Sequence, residues 1–375
     1  MDAQVRSLLN ALKDKSLQSQ VSAARRLGDL AVADAMEPLI GLLDSSEASL
    51  REECARALGR LQSKRALTKL LTCLDNESST DVQRALLEAL VRIGGKATSM
   101  RLKEILLSPS STLHLSLLHA LKECANGHSF HDEIAELVEM DGYPWKGELL
   151  QLVASFPAAK AEELLLTALV SSTDASVKAK AARALGNYPS ARNWAELAPL
   201  LKADEEDVRL AAIESLKKFN AAKLVDEAMP LLLTGGSRER EVLLKTMADY
   251  GSVEQVAPIV SLCETETSPT VLQAALRVLI RLGLPTQSSA KKLRHLASHP
   301  SPRVRANLAE LFGRPGLPST FEIFEELCRD SHRGVRRAVS RALARVEDDR
   351  AISYLVQMTE DRSAEVRLHA LRGLV

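Results

Sequence analysis

Apolar positions recur in this chain with two periods at once. Over Asp330 to Val346, DSHRGVRRAVSRALARV, the residues Val335, Ala338, Val339, Ala342, Leu343 and Val346 fall three and four apart, which predicts one apolar stripe along an α-helix. Arg337, Arg341 and Arg345 are four apart and line a different face of the same helix. A second apolar segment comes before it, with Phe321, Ile323, Phe324, Leu327 and Cys328. Asp330 and Ser331 lie between the two, where a helix N-cap is expected. The unit is therefore helix A, short polar turn, helix B, and nothing reads as an alternating strand.

The second period is longer. Leu27, Leu58, Leu90, Leu121, Val153, Leu185, Leu216, Met247, Leu279, Phe312, Leu343 and Leu374 are all apolar, and successive members are 31 to 33 residues apart. Eight residues before these rungs stand Ser19, Leu50, Val82, Leu113, Trp145, Val177, Val208, Glu239, Val271, Val304, Val335 and Val366, of which ten are apolar. A fixed period near thirty residues marks a repeat solenoid. The helix-B segments LREECARALGRL, VKAKAARALGNY and VRRAVSRALARV show the unit most plainly. Ala24, Ala55, Ala182 and Ala309 share one register, where small side chains let neighbouring helices approach to the close end of the ~8–10 Å packing range. Gly28, Gly59, Gly186 and Gly313 directly follow their rungs and are expected to loosen the end of helix B.

The valine, the arginine after it, the central alanine and the Ala-Leu-Gly resemble the HEAT repeat, in the short bacterial form also seen in phycobilisome lyase subunits. The resemblance covers essentially the whole chain. It implies an all-α, right-handed superhelical α-solenoid of about twelve HEAT-like helix pairs, running as a single array over residues 1–375. The valine–arginine pair stands at Val208–Arg209, Val304–Arg305, Val335–Arg336 and Val366–Arg367. In the family that arginine and an aspartate before helix B form a polar ladder between repeats. Asp330 and Asp361 match the aspartate, and Asp44 is displaced from it by one residue. The repeats around Leu113, Trp145 and Glu239 lack the pair, so the ladder is expected to break there. The resemblance specifies a fold and says little about activity. It implies a scaffold that binds another protein along a concave helix-B face, with a bilin lyase subunit as the rival.

Composition narrows this reading. The formal net charge is zero, with 49 basic and 49 acidic residues, and aromatics are only 3% of the chain. Such a balance disfavours a dedicated nucleic-acid or membrane-surface protein, and few aromatics means few base-stacking faces. No run of eighteen apolar residues exists, so no transmembrane helix is expected. The N-terminal MDAQVRSLLNALKDK reads as helix A of the first repeat and not as a signal peptide. Cys54, Cys73, Cys124, Cys263 and Cys328 are odd in number and far apart, which fits buried reduced thiols and a cytoplasmic location.

No catalytic constellation is legible, and the expected function is non-enzymatic, with no cofactor and no metal. His128 and His131, three apart, with His114 and His119 upstream, form the one metal-like cluster; a full ligand set is missing, so a solvated loop is expected. HEAT-type iron hydroxylases carry repeated His-Glu dipeptides, and this chain has none. Bends in the array are expected at 142–148, 234–241 and 313–320, where glycines and prolines interrupt the rhythm. Trp145 replaces the usual valine and is either a large core residue or a partner anchor.

Charge is distributed unevenly along the chain. From Asn193 to Thr270 there are 8 basic and 14 acidic residues, net −6; from Arg277 to Arg345 there are 14 basic and 5 acidic, net +9. Arg277, Arg281, Arg333, Arg337, Arg341 and Arg345, with Trp145, are the candidate partner-binding residues. They point to a protein partner with an acidic surface, since a one-signed patch steers association. Nucleic acid is the alternative ligand for the 277–345 block. The sequence stops inside a helix-B pattern, and cover by self-association or by further sequence in a longer parent protein is expected.

Overall fold

The computed structural model describes residues 3–108, 112–123, 130–140, 142–154, 156, 158–284, 286–314 and 321–375, and among them there is helix and no strand. The chain forms two compact units, Met1–Ala184 and Leu185–Val375. Within each unit the elements follow one another as helix pairs, and each helix B packs on the helix B of the next pair.

In the first unit the B helices include Leu17–Asp29, Ala48–Arg60, Thr80–Ile93, His114–Glu123 and Lys146–Val153. In the second they include Ser237–Tyr250, Pro269–Leu282, Pro302–Phe312, Arg333–Leu343 and Ala364–Gly373. One helical run, Glu206–Glu227, joins the B helix of one pair to the A segment of the next across a kink at Asn220, where φ is −156° and ψ 97°. Eleven of the twelve rungs are buried, and the register holds. Leu374, the twelfth rung, is 37% exposed.

The glycines after the rungs do something other than loosen a helix. A Cβ on Gly28 would lie 2.7 Å from the Cα of Ala57, one on Gly59 would lie 2.8 Å from the Cα of Ala89, and one on Gly313 would lie 2.4 Å from the Cα of Ala342. These glycines are points of backbone-to-backbone contact between consecutive B helices, and a side chain there would push the repeats apart. Ala24, Ala55, Ala182 and Ala309 are fully buried, as their shared register predicts.

Six B helices begin with the same local device, in which a side chain two residues before the N-cap accepts the N-cap N–H. His332 is the N-cap residue of Arg333–Leu343, and the Asp330 carboxylate accepts the His332 N–H at 2.7 Å. Asp361 accepts from Ser363 N–H at 2.7 Å, Glu77 from Ser79 N–H at 3.0 Å and Glu266 from Ser268 N–H at 2.7 Å. Ser45 Oγ and His299 Nδ1 hold the equivalent position and accept from Glu47 and Ser301. These side chains satisfy N–H groups that helix geometry leaves without partners.

Candidate functional site

The capping acids also receive the arginine of the preceding repeat. Arg305 grips Asp330 with two N–H groups at 2.6 and 2.9 Å, and Arg336 grips Asp361 at 2.6 and 3.0 Å. Arg51 grips Glu77 at 2.8 and 2.9 Å. The same guanidinium turns back to its own repeat: Arg336 donates to Asp330 O at 2.7 Å, and Arg305 to His299 O at 2.6 Å. One planar fork thus closes the end of helix A and ties two repeats together, a geometry an ammonium cannot reproduce. Hydrogen bonds from Arg336 hold the Asp361 carboxyl below the usual carboxylate range, and those from Arg51 do the same for Glu77. For Asp330 burial pushes upward, but Arg305 and the His332 N–H outweigh it and the net direction is down.

The ladder does not break at Glu239. The residue five before it, Thr234, has no carboxylate, and Glu239 itself supplies the acid from inside helix B, fully buried. It accepts from Arg209 at 2.6 Å and from Gly236 N–H at 2.6 Å. Arg240 then continues to Glu266 at 2.8 Å. A buried carboxylate at a valine position is tolerable only because both donors reach it. In three repeats of the first unit other side chains take the arginine's place: Gln20 donates to Leu12 O, Gln83 to Glu77 O and His114 to Leu106 O, at 3.0, 2.7 and 3.1 Å. Asp44 stands outside the ladder and pairs with Lys69 at 2.5 Å.

The candidate arginines lie in the second unit and divide by what they already hold. Arg281 is used within the fold: its guanidinium donates to Met247 O at 3.1 Å and to Gly251 O, capping helix Ser237–Tyr250. Arg337 pairs with Glu365 at 3.1 Å, with both side chains about half exposed (45% and 55%). Arg277, Arg333, Arg341 and Arg345 are exposed, and their side chains make no hydrogen bond or ion pair with a described residue. Arg277 and Arg341 hold the same register, two residues before their rungs, and Glu310 holds it on the helix between them.

Trp145 belongs to the first unit. It is half-buried at the N-cap of Lys146–Val153, stacked on His114 with ring centroids 5.3 Å apart and planes 23° apart. His131 packs against Phe156 at 4.0 Å, and His128 lies outside the described residues. Among the described residues no three His, Cys, Asp or Glu side chains group as metal ligands. The Cys54, Cys263 and Cys328 thiols are pushed up to about 12, chiefly by burial. Cys124 is outside the described residues. No described helix is long and apolar enough to cross a membrane. A groove of about 780 Å³ opens in the second unit between Ala195, Pro199, Leu201, Pro230 and Leu231, with Arg209 and Glu227 among its lining; nothing in the sequence pattern points to it.

Comparison with known proteins gives the fold a family. The family model for HEAT repeats matches residues 5–91, 162–244 and 290–375. No curated protein matches the chain. Among solved structures, Kap121p bound to Ste12p is similar at a TM-score of 0.60 and 13% identity, over 100% of this chain and 49% of that one. Kap121p bound to Pho4p is similar at 0.58 and 13%, over 99% and 48%, and Kap121p bound to Nup53p at 0.57 and 13%, over 100% and 49%. The chain spans about half the length of these structures, and at such identities the likeness shows the fold alone. With the repeat period, the buried rungs and the matched residues in agreement, the chain belongs to the HEAT-repeat family.

Proposed function

We propose that this chain is a non-enzymatic scaffold that binds another protein along the face of its B helices, through an acidic surface on the partner. The observation that carries the reading is the set Arg277, Arg333, Arg341 and Arg345, exposed and without side-chain partners among the described residues in a unit where Arg209, Arg240, Arg305 and Arg336 are all held by carboxylates. Exposed guanidinium groups that hold nothing are free to form charge-assisted, bidentate bonds to carboxylates. Kap121p, of the same fold, has been found bound to Ste12p, to Pho4p and to Nup53p, which supports a binding role for a helix array of this kind. Buried thiols at Cys54 and Cys263 support a reducing compartment such as the cytoplasm.

The test begins with capture on immobilised wild-type protein and on the Arg337→Glu/Arg341→Glu/Arg345→Glu variant. The captured partner is identified by mass spectrometry, purified and titrated. The reading expects the variant to lose affinity while its thermal midpoint stays nearly unchanged, and expects the difference to shrink as salt rises. Equal affinity at low salt refutes it. A captured nucleic acid with a steep salt slope replaces the protein partner with the alternative ligand. The bilin-lyase resemblance is checked in the same samples, by absorbance on mixing with a bilin and an apo-phycobiliprotein.

A further inference from the structure

The second unit orders its charges in single file. Arg277, Glu310, Arg341 and Arg372 occupy one register, two residues before the rungs of four consecutive B helices. Arg277, Arg341 and Arg372 are exposed and Glu310 is half-buried, and none of the four makes an ion pair with a described residue. One turn before them the neighbours are mixed: Gln273 and Ala274 beside Arg277, Ala306 and Asn307 beside Glu310, Arg337 and Ala338 beside Arg341, and Leu368 and His369 beside Arg372. Asn307, one turn before Glu310, donates to Gln273 O at 3.4 Å, and its amide oxygen makes no hydrogen bond with a described residue. The lane carries its charges in the order plus, minus, plus, plus, with an alanine one turn away on three of its four helices.

Two spacings decide what fits. Packed helices lie ~8–10 Å apart, here held to the close end by the Gly313–Ala342 contact. An extended polypeptide rises ~3.3 Å per residue. One helix of the stack therefore corresponds to about three residues of an extended segment. The lane also separates classes of anion. A nucleic-acid strand is uniformly negative and meets Glu310 at the centre, where like charges repel; a polypeptide can place a neutral or basic side chain there.

Resting on the scaffold reading, we propose that the partner presents an extended acidic segment to this lane, with carboxylates about three residues apart on Arg372 and Arg341, a neutral or basic residue on Glu310, and a third carboxylate on Arg277. His369 reports occupancy. It is half-buried on helix Ala364–Gly373, and the charged groups that face it are Arg341, Arg372, Arg337 and Glu365. Burial, then those three arginines, hold its pKa below the ordinary histidine range. Carboxylates arriving on Arg341 and Arg372 offset that field and raise it.

The experiment uses the full chain and capped synthetic peptides with Gly/Ser spacers at low salt, read by calorimetry. One peptide carries Glu at positions one, four and ten with Lys at seven; a second has the same spacing in reverse, for the opposite chain direction; a third has the same composition with its charges scrambled. One of the first two is expected to bind at least tenfold more tightly than the scramble. Arg341→Ala and Arg372→Ala, both at exposed positions, are each expected to weaken it at least threefold, and Glu310→Lys to shift preference to a peptide with Glu at seven. The His369 ring signal, assigned by its loss in His369→Gln, is expected to titrate at higher pH with peptide bound. Scrambled and ordered peptides binding alike overturn the register, as does an oligonucleotide of equal charge binding more tightly than either. If no peptide binds while the purified partner still loses affinity in the triple reversal, the lane is wrong and the scaffold reading stands. Loss of both contradicts the scaffold reading as well.

Discussion

Arg336 and Arg337 are neighbours on one helix, both ion-paired, and removing them should have very different consequences. The Arg336 and Asp361 side chains are 5% and 10% exposed, whereas Arg337 and Glu365 are 45% and 55% exposed. Arg336→Ala deletes both bonds to Asp361 and those to Asp330 O and Ser331 O at 2.7 and 3.2 Å. It leaves a nearly buried carboxylate whose remaining hydrogen bond among the described residues comes from the Ser363 N–H. Removing one partner of a buried pair costs about 3–5 kcal/mol. Arg337→Ala breaks a solvated pair worth about 0–1 kcal/mol. The two variants should therefore differ by at least about 2 kcal/mol, with the double variant Arg336→Ala/Asp361→Ala costing less than the sum of its singles. Repeat arrays need not unfold in one step, so the assay is urea unfolding with hydrogen exchange read separately at helices Arg333–Leu343 and Asp349–Met358. If Arg336→Ala falls within about 0.5 kcal/mol of Arg337→Ala, a margin typical of indifferent surface sites, the arginine ladder does not hold repeats together.

Three further outcomes follow from the same geometry. Leu185→Ala, at a fully buried rung, should cost about 2–5 kcal/mol in chemical unfolding, and a cost under about 1 kcal/mol would put the register in error. Gly313→Ala should destabilise by about 1–3 kcal/mol through overpacking against Ala342, whereas a helix-propensity gain with no clash would stabilise it. Thermal stability should fall in two stages with acid. His299, lowered chiefly by burial, must be neutral at Nδ1 to accept from Ser301, so its contribution is lost as pH falls below its ordinary value near ~6.5. The depressed carboxyls of Glu77, Asp330 and Asp361 contribute above about pH 4 and lose that contribution as pH falls through their lower folded values. His299→Asn should diminish the upper stage and spare the lower; a single transition unaffected by His299→Asn would contradict the assignment.

The rungs were legible because packing one helix B on the next forces an apolar residue into the same register every time. The Asp330 and Asp361 links were legible for a related reason: the arginine and the aspartate recur at fixed offsets. Arg209–Glu239 was not, because the acid moved five positions into a valine site when Thr234 took the turn. Gln20, Gln83 and His114 were missed although they share the arginine's register, since residue types that donate equally well look unrelated in a letter pattern. Arg281 counted as available charge, yet its acceptors are carbonyl oxygens 30 and 34 residues away, which no side-chain pattern records. Trp145 stacks half-buried on His114 and is not deep in the core, because Lys146–Val153 begins at that residue and leaves it at the cap. The glycines were visible as a column, but only the backbone distances show that the column is a contact.

The most direct measurement is the affinity of the purified partner for wild-type protein and for the Arg337→Glu/Arg341→Glu/Arg345→Glu variant, titrated at several salt concentrations with the thermal midpoint of each protein recorded alongside. An arginine face for an acidic partner predicts a large loss of affinity at low salt, converging as salt rises, with unchanged midpoints. Equal affinities at low salt, or a loss that tracks a lowered midpoint, would contradict it.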